Sequence, residues 1–586
     1  MSTILFFDFE VFKYDWLVVA IDPINQSKHI IINDKKGLEK LYKQYKDDIW
    51  VGFNCRNYDQ YILKGILCGF NPKEVNDWII VKDRKGWEFS SMFNKIPLIL
   101  FDAMPNPPVS LKTLEGFMGK NIHETSVDFN INRKLTVQEI NETVEYCTAD
   151  VLNCIDVFLK RKSEFDAQMD LLKAFNLPLS YLGKTQAQLA AVILDAKKIR
   201  FKDDWNIRVP ENAILGKYQA VADWFLNPEN HREDASCSFE IAGLEHIIAL
   251  GGVHAGKPKT VITCDEDELM FDADVGQLYP NIMVIYNLTS RAARNPGMLK
   301  YILDTSMRLK AEGKKKEREP YKRQCNIVYG AMGDQFNPLY DPLHRTLVCV
   351  YGQIFLIDLI EKIEDIVTLF NSNTDGIFFK VKKKDLEELK RRVSEWEQRT
   401  GLTMEYTEFT KFISKDVNNY LAIMPNGKIH AKGAYVKDLS PLDYDLPIVN
   451  EALRNYMIYG IRVEDTIFAC NDLIKFQKIV KLSSKYKWVE HEQGYYPTYS
   501  PRGLVIDNYE STIKYDNKAY RVFASTNQND GKLLKCDGVR NPAKFGNTPD
   551  HCFIHNGDLT GVPIPKHLDR GYYVDLARKR LEDFGL

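Results

Sequence analysis

Residues 271–283 read FDADVGQLYPNIM and residues 369–381 read LFNSNTDGIFFKV. Each stretch carries an aspartate, Asp274 or Asp375, at the end of an apolar run of strand length. Two such carboxylates brought together make a site for two hard cations, which prefer oxygen ligands. The strands expected are Leu269–Phe271, Val367–Phe370 and Ile377–Val381. The last two flank Asn373-Thr374-Asp375-Gly376, and Asp-Gly between apolar runs signals a hairpin. Between the two stretches lies KRQCNIVYG, Lys322–Gly330. Pro320 suits the first turn of a helix. Lys322, Asn326 and Tyr329 then fall at i, i+4 and i+7, on one stripe.

Working outward, the N-terminal third carries a second acidic set. Ile4–Phe7 and Trp16–Ile21 read as strands with Asp8 and Glu10 between them, and residues two apart on a strand face the same side. Ile49–Phe53 reads as another strand, leading into Asn54-Cys55-Arg56-Asn57-Tyr58-Asp59 and a helix-like YILKGILCGF. Thr136 and Glu139 form a capping box, and Leu135 with Ile140 fits a hydrophobic staple. An apolar stripe from Ile140 to Phe158 follows, with Tyr146 and Asp150 four apart on a neighbouring face. Asp8, Glu10, Asp59 and Asp150 brought together would repel, by roughly 4 kcal/mol per pair at about 4 Å and an effective dielectric of about 20. Divalent cations remove that penalty and activate water for attack on a phosphodiester, with Tyr146 placed to hydrogen-bond that water. Any one of these acids alone reads as surface charge; the ordered set does not.

Composition narrows the class. The chain has 586 residues, 78 Lys and Arg against 80 Asp and Glu, and a net charge of −2, so any basic surface must be local. The runs Lys382–Lys384 and Lys390–Arg392 read as solvated surface. Eleven cysteines without a CxxC pair argue against a zinc site or a disulfide framework and fit a reducing cytosol. MSTILFFDFE lacks a basic n-region, so no signal peptide is expected, and no apolar run is long enough to span a bilayer.

In order and residue type, the segments around Asp274, Lys322 and Asp375 resemble motifs A, B and C of the family B DNA polymerases. The N-terminal set resembles Exo I, Exo II and Exo III of the DnaQ-like 3′–5′ proofreading domain. Together the resemblances span residues 8–433. They imply an α/β and α+β multidomain fold, with an RNase H-like exonuclease domain followed by a right-hand polymerase of palm, short fingers and thumb. The implied boundaries are 1–170 exonuclease, 171–240 connecting helices, 241–290 palm, 291–333 fingers, 334–440 palm, and 441–586 thumb and C-terminal region.

The resemblance also implies roles. Asp274 and Asp375 would ligate two Mg²⁺ ions, for which Mn²⁺ can substitute, and the Val275 carbonyl would be a further ligand. Tyr279 would lie under the sugar and exclude a 2′-hydroxyl. Lys322 and Arg308 would hold phosphates, with Lys310 and Lys314 competing for the Arg308 role, and Asn326 and Tyr329 would line the base-pair pocket. Asp8, Glu10, Asp59 and Asp150 would hold a separate metal pair. Asn54, Tyr58, Gly251, Gly252, Tyr420, Lys432 and Gly433 would contact DNA, and Ser110-Leu111-Lys112 resembles the element that contacts a frayed primer end. The chain departs from the family at Gln277 and Ile327, at Ala249 and Asn418, and at Asn373, where motif C has its first acid. Asp272 falls out of register and reads as a solvated or structural acid.

The tight spacing between motifs leaves room for two short helices from motif A to motif B and none for the insertions of protein-primed phage polymerases. The expectation is a compact bacteriophage-type, monomeric polymerase in the host cytoplasm, acting on primer-template DNA and dNTPs beside a phage helicase and single-strand binding protein. Two alternatives are a 3′–5′ exonuclease with a degenerate polymerase half and a non-catalytic nucleic-acid binder. From Pro441 on, Val449–Tyr459, Glu464–Val480 and Tyr573–Phe584 read as helices.

Overall fold

The computed structural model describes residues 3–433, 435–499 and 505–586. The chain forms two compact units. One holds Met1–Gly183, Leu439–Ala452 and Arg462–Leu576; the other holds Lys184–Asp438, Leu453–Ile461 and Ala577–Leu586. Among the described residues no helix is long and apolar enough to cross a membrane.

The first unit begins with β1 (Ile4–Val11), β2 (Trp16–Asp22) and β3 (Ser27–Ile32), an antiparallel meander. Helix α1 (Lys35–Tyr45) leads to β4 (Ile49–Gly52), which pairs parallel with β1, and β5 (Ile99–Asp102) pairs parallel with β4. The sheet order is β3-β2-β1-β4-β5. β1 is central, and Leu5, Phe7, Phe9 and Val11 join Trp50 in the core. Around it lie α2 (Asp59–Cys68), α3 (Pro72–Asn76), α4 (Leu111–Phe117), α5 (Val137–Lys160) and α6 (Lys162–Ala174). The capping box of α5 forms as the sequence suggests, and Leu135 and Ile140 share a small cluster with Phe12.

The second unit opens with α7 (Gln186–Ile193) and α8 (Gln219–Leu226), then β6 (Ser236–Ile241), β7 (Leu244–Ala249), β8 (Gly252–Gly256), β9 (Thr260–Thr263) and β10 (Glu268–Val275). Helices α9 (Leu278–Ile285), α10 (Gly297–Ala311), α11 (Lys315–Met332) and α12 (Pro342–Ile363) follow. β11 (Val367–Asn373) and β12 (Gly376–Lys382) form the expected hairpin. After α13 (Leu386–Thr400) come β13 (Met404–Phe409), β14 (Lys411–Asp416), β15 (Asn419–Ile423) and β16 (Ile429–Lys432). One sheet runs β13-β10-β12-β11-β8-β7-β6 and a second β16-β15-β14-β9. α12 is apolar on nearly every side and is buried through most of its length, as such a helix must be.

Past α14 (Pro447–Tyr459), the chain is richer in strands than its pattern suggests. α15 (Val463–Ala469) stops well short of Val480. Asp472 caps a short 3₁₀ turn through Ile474 N, and β17 (Lys478–Lys481) pairs with β20 (Ala519–Ala524). The backbone bonds of 478–481 go to a strand some forty residues on, a pairing that local periodicity does not register. β18 (Trp488–Tyr499), β19 (Val505–Tyr515), β21 (Asp530–Cys536) and β22 (Ala543–Lys544) form one sheet; β17, β20 and β23 (Cys552–Ile554) form another. The last helix, α16 (Arg570–Glu582), buries Tyr573 against Phe476.

Most of 441–586 is therefore compact with residues 1–183 rather than with residues 184–438. Arg521 on β20 fastens this unit. It is fully buried, and its guanidinium donates to the carbonyls of Gly116, Lys120, His555 and Gly557 and to Gln477 Oε1. α11 begins at Lys315, five residues before the expected start, and Pro320 lies inside it. Proline within the second turn removes one intrahelical bond, a loss the rest of an 18-residue helix tolerates.

Candidate active sites

In the first unit, Asp8 and Glu10 both lie on β1, paired across to Val19 and Leu17. Asp59 is the first residue of α2, where a carboxylate suits the helix dipole, and its Oδ1 accepts from Phe9 N at 3.1 Å. Asp150 comes from the buried face of α5. Asp8, Glu10 and the Cys147 thiol offer ligand atoms within 4.8 Å of one another. Cys147 Sγ lies 3.4 Å from the Asp8 carbonyl oxygen and 3.6 Å from its Oδ2.

Burial and mutual repulsion raise these acids. Asp8 stands well above the carboxylate range through burial and then Asp59, Glu10 and Asp150; Glu10 does so through burial and then Asp150 and Asp59. Burial lifts Asp59 to about 7. Asp150 is also raised by burial, against the pull of Lys112. Burial, then Asp150, Glu10 and Asp8, keep the Tyr146 hydroxyl protonated far above its ordinary value.

Two further groups join this cluster, Lys112 of the Ser110-Leu111-Lys112 element and Glu115, which the sequence does not place there. Lys112 Nζ lies 2.5 Å from Asp150 Oδ1 and 3.0 Å from Glu115 Oε1, and 4.7 Å from the centre of the Tyr146 ring. Burial opposes a charge on Lys112, but Asp150 and Glu115 outweigh it and hold the ammonium above its ordinary value. Glu115 is fully buried and stands at about 7. A lysine among acids scattered from residue 8 to residue 150 has no linear signature. Asn54 sits at φ 59 with its N donating to Asp102 Oδ1, and Tyr58 donates to Asn76 Oδ1 at 2.7 Å, so both shape the turn into α2.

In the second unit, Asp274 is near the end of β10, opposite Gly376 on β12 and Glu405 on β13. Asp375 lies in the two-residue turn between β11 and β12. Val275 N donates to the Asp375 carbonyl oxygen at 2.7 Å and ties the two segments together. Both carboxylates are exposed. Burial of its surroundings, then Asp375 and Glu405, lift Asp274 to about 6 against Lys432. Glu405, unremarked in the sequence, is ion-paired with Lys310. Asp272 is not solvated: it is 5% exposed, and burial, then Asp274 and Asp375, lift it to about 8.

In the same unit, the rings of Tyr279 on α9 and Tyr329 on α11 lie 4.3 Å apart. Cys349 Sγ on α12 approaches both hydroxyls, at 3.5 Å and 2.7 Å. Lys322 and Asn326 are exposed on the same helix as Tyr329, while Arg308 is ion-paired with Glu312. Gln277 takes φ 47 and turns its amide toward Met307 Sδ.

No protein-family model matches this sequence, and no curated protein matches it. Among solved structures, the family B DNA polymerase of the hyperthermophilic archaeon Pyrobaculum calidifontis overlaps with a TM-score of 0.43 and 13% sequence identity, covering 100% of this chain and 78% of that one. An overlap this loose identifies no equivalent residues.

The remaining expected DNA contacts lie in the second unit. Leu250 and Gly251 form the turn between β7 and β8, and a Cβ on Gly252 would stand 3.0 Å from Thr374 Oγ1, beside Asp375. Tyr420 pairs with Lys432 across β15 and β16, its ring buried against Phe378 and Phe412. Gly433 takes φ 98, and a side chain there would strike Asn419. Lys415, three residues before Asn418, is paired with Asp416.

Proposed function

We propose that this chain is a template-directed DNA polymerase of bacteriophage type with a separate 3′–5′ exonuclease site. The observation that carries the reading is the junction of Asp274 and Asp375, two acids from distant segments locked side by side by the Val275–Asp375 backbone bond. The second acidic cluster, in the other compact unit and on a sheet of order β3-β2-β1-β4-β5, supports the RNase H-like exonuclease half.

Both donor sets fit divalent cations. They are rich in carboxylate oxygens, which suit Mg²⁺ with Mn²⁺ as a substitute. Glu10 is 8% exposed amid Asp59 and Asp150, and Asp272 Oδ1 is buried without a hydrogen-bond partner among the described residues. Buried acids so placed are costly until a cation offsets them. Bound at Asp274 and Asp375, and at Asp8, Glu10, Asp59 and Asp150, such ions would supply activation of the attacking oxygen and neutralisation of phosphate charge.

The chain's own residues would do the rest. The seven-stranded sheet would be the palm, with α10 and α11 as short fingers. Lys322 would bind the triphosphate from its exposed position, and Arg308 would join it by leaving Glu312. Tyr279, braced against Tyr329, would block a 2′-hydroxyl, and Asn326 would border the base pair. In the exonuclease site, Tyr146 would offer a neutral O–H to the attacking water while Lys112 balances Asp150. Primer-template DNA and dNTPs are the ligands of this reading, with a phage helicase and single-strand binding protein as partners of a cytoplasmic monomer.

A 5′-labelled recessed primer on a longer template, with Mg²⁺, with and without dNTPs, tests it. Extension with dNTPs and shortening without them is the expected result. Asn373, in place of an acid beside Asp375, favours a second reading in which the polymerase half is degenerate; shortening in both lanes would select it.

A further inference from the structure

Asp272 occupies a position where a carboxyl is expensive. It shares a strand face with Met270 and Asp274, since residues two apart on β10 point the same way. Its cross-strand neighbours are Phe378 on β12 and Thr407 on β13. Met270, Phe378, Phe409, Phe412 and Tyr420 form an apolar cluster on this side. The residue is 5% exposed, and its Oδ1 is buried with no hydrogen-bond partner among the described residues. Lys432 lends it a positive field without forming an ion pair.

A buried carboxyl without a partner is costly, whichever protonation state it adopts. Packing alone would be better served at this position by an apolar residue. The cost falls if an outside group supplies the missing bonds, and the strand face leads directly to the exposed Asp274 and Asp375. The Cα atoms of residues two apart along a strand are separated by roughly 6.6 Å. Asp272 is buried while Asp274 and Asp375 are exposed, so an ion held by the exposed pair would meet it through one of its bound waters. Mg²⁺ sheds its waters reluctantly and keeps several when bound.

We propose that Asp272 is a third, outer carboxylate of the Asp274–Asp375 metal centre, accepting hydrogen bonds from cation-bound water. It is a positioning residue and rests on the polymerase reading above. Its role is to tighten divalent-cation binding at the cost of stability in the cation-free protein.

The test uses the full chain carrying Asp8→Ala and Glu10→Ala, which removes cation binding at the other cluster. Asp272→Asn and Asp272→Leu are compared with the parent by Mn²⁺ titration, followed by electron paramagnetic resonance, and by thermal melting with and without Mn²⁺. Both variants are expected to melt no lower than the parent without Mn²⁺, to bind Mn²⁺ about tenfold more weakly and to show a smaller Mn²⁺-induced rise in Tm. Adding Asn373→Asp should restore part of the binding, because Asn373 pairs with Gly376, which faces Asp274. Variants that melt lower without Mn²⁺ and bind it unchanged would overturn the proposal and leave Asp272 a structural acid. Asp375→Ala is the control: if it leaves Mn²⁺ binding intact, the metal centre itself is misassigned, a failure distinct from that of Asp272.

Discussion

Asp274 and Gly376 face each other directly across β10 and β12, and a Cβ on Gly376 would collide with the Asp274 carboxylate. Glycine at the end of this hairpin is what lets the carboxylate stand beside Asp375. We predict that Gly376→Ala swings Asp274 aside and lowers primer extension by roughly 10²-fold, the usual effect of about an ångström of misplacement. Primer shortening should be untouched. Equal extension by the variant would show that Asp274 has another position to work from.

The two acidic clusters lie in different compact units and should fail independently. Asp375→Ala is expected to abolish extension and keep excision. Asp8→Ala with Glu10→Ala should do the opposite. Loss of both activities from either variant would point to general misfolding, which the melting curve would reveal.

Tyr279 lies 4.3 Å from Tyr329, ring to ring, with Cys349 between their hydroxyls. A ring braced on two sides makes a stiff wall. Tyr279→Ala should therefore admit ribonucleotides, measured as the ratio of kcat/KM for a dNTP to that for the matching rNTP. Unchanged sugar discrimination would rule out this ring as the barrier.

Burial raises Asp59 from 3.8 to about 7. The folded protein therefore holds this proton more tightly than the unfolded chain. Stability from this group is present below the unfolded value, declines as pH rises toward about 7, and is flat above. In EDTA, the Tm of the wild type relative to Asp59→Asn should fall between about pH 4 and pH 7. Mg²⁺ should raise the wild-type Tm more at pH 7.5 than at pH 5, since cations compete with protons for the same oxygens. A Tm difference constant across that range would contradict the assignment.

Among the described residues Arg521 makes no ion pair, and burial, against the pull of Asp558, pushes it down to about 10. Its donors satisfy four backbone carbonyls from segments as far apart as Gly116 and Gly557. Arg521→Met keeps the bulk and deletes the donors, so it should destabilise the first unit by roughly 3 kcal/mol or more. Urea unfolding would measure this, and a change below about 1 kcal/mol would mean that water replaces the guanidinium.

Much of the site chemistry is legible in the chain because it is carried by short segments. The β11–β12 hairpin, the capping box of α5 and the strand under Asp274 each come from spacing over a few residues, where apolar periodicity and turn chemistry decide the backbone. Asp8 and Glu10 share one strand by the same local rule.

The linear order of residues therefore specified the pieces: which acids sit at strand ends, which helices carry a polar stripe, and in what order they come. Which pieces meet was settled by packing in three dimensions. Lys112 enters the acidic cluster from α4, and Glu405 stands opposite Asp274 from β13. Asp272 is buried because the β14–β15 hairpin carries Phe412 and Tyr420 over its face of the sheet. The 462–576 segment folds with the N-terminal unit through bonds such as those of Arg521. These contacts join residues tens to hundreds of positions apart, and their physics is that of burial and unpaired charge, which has no period along a chain.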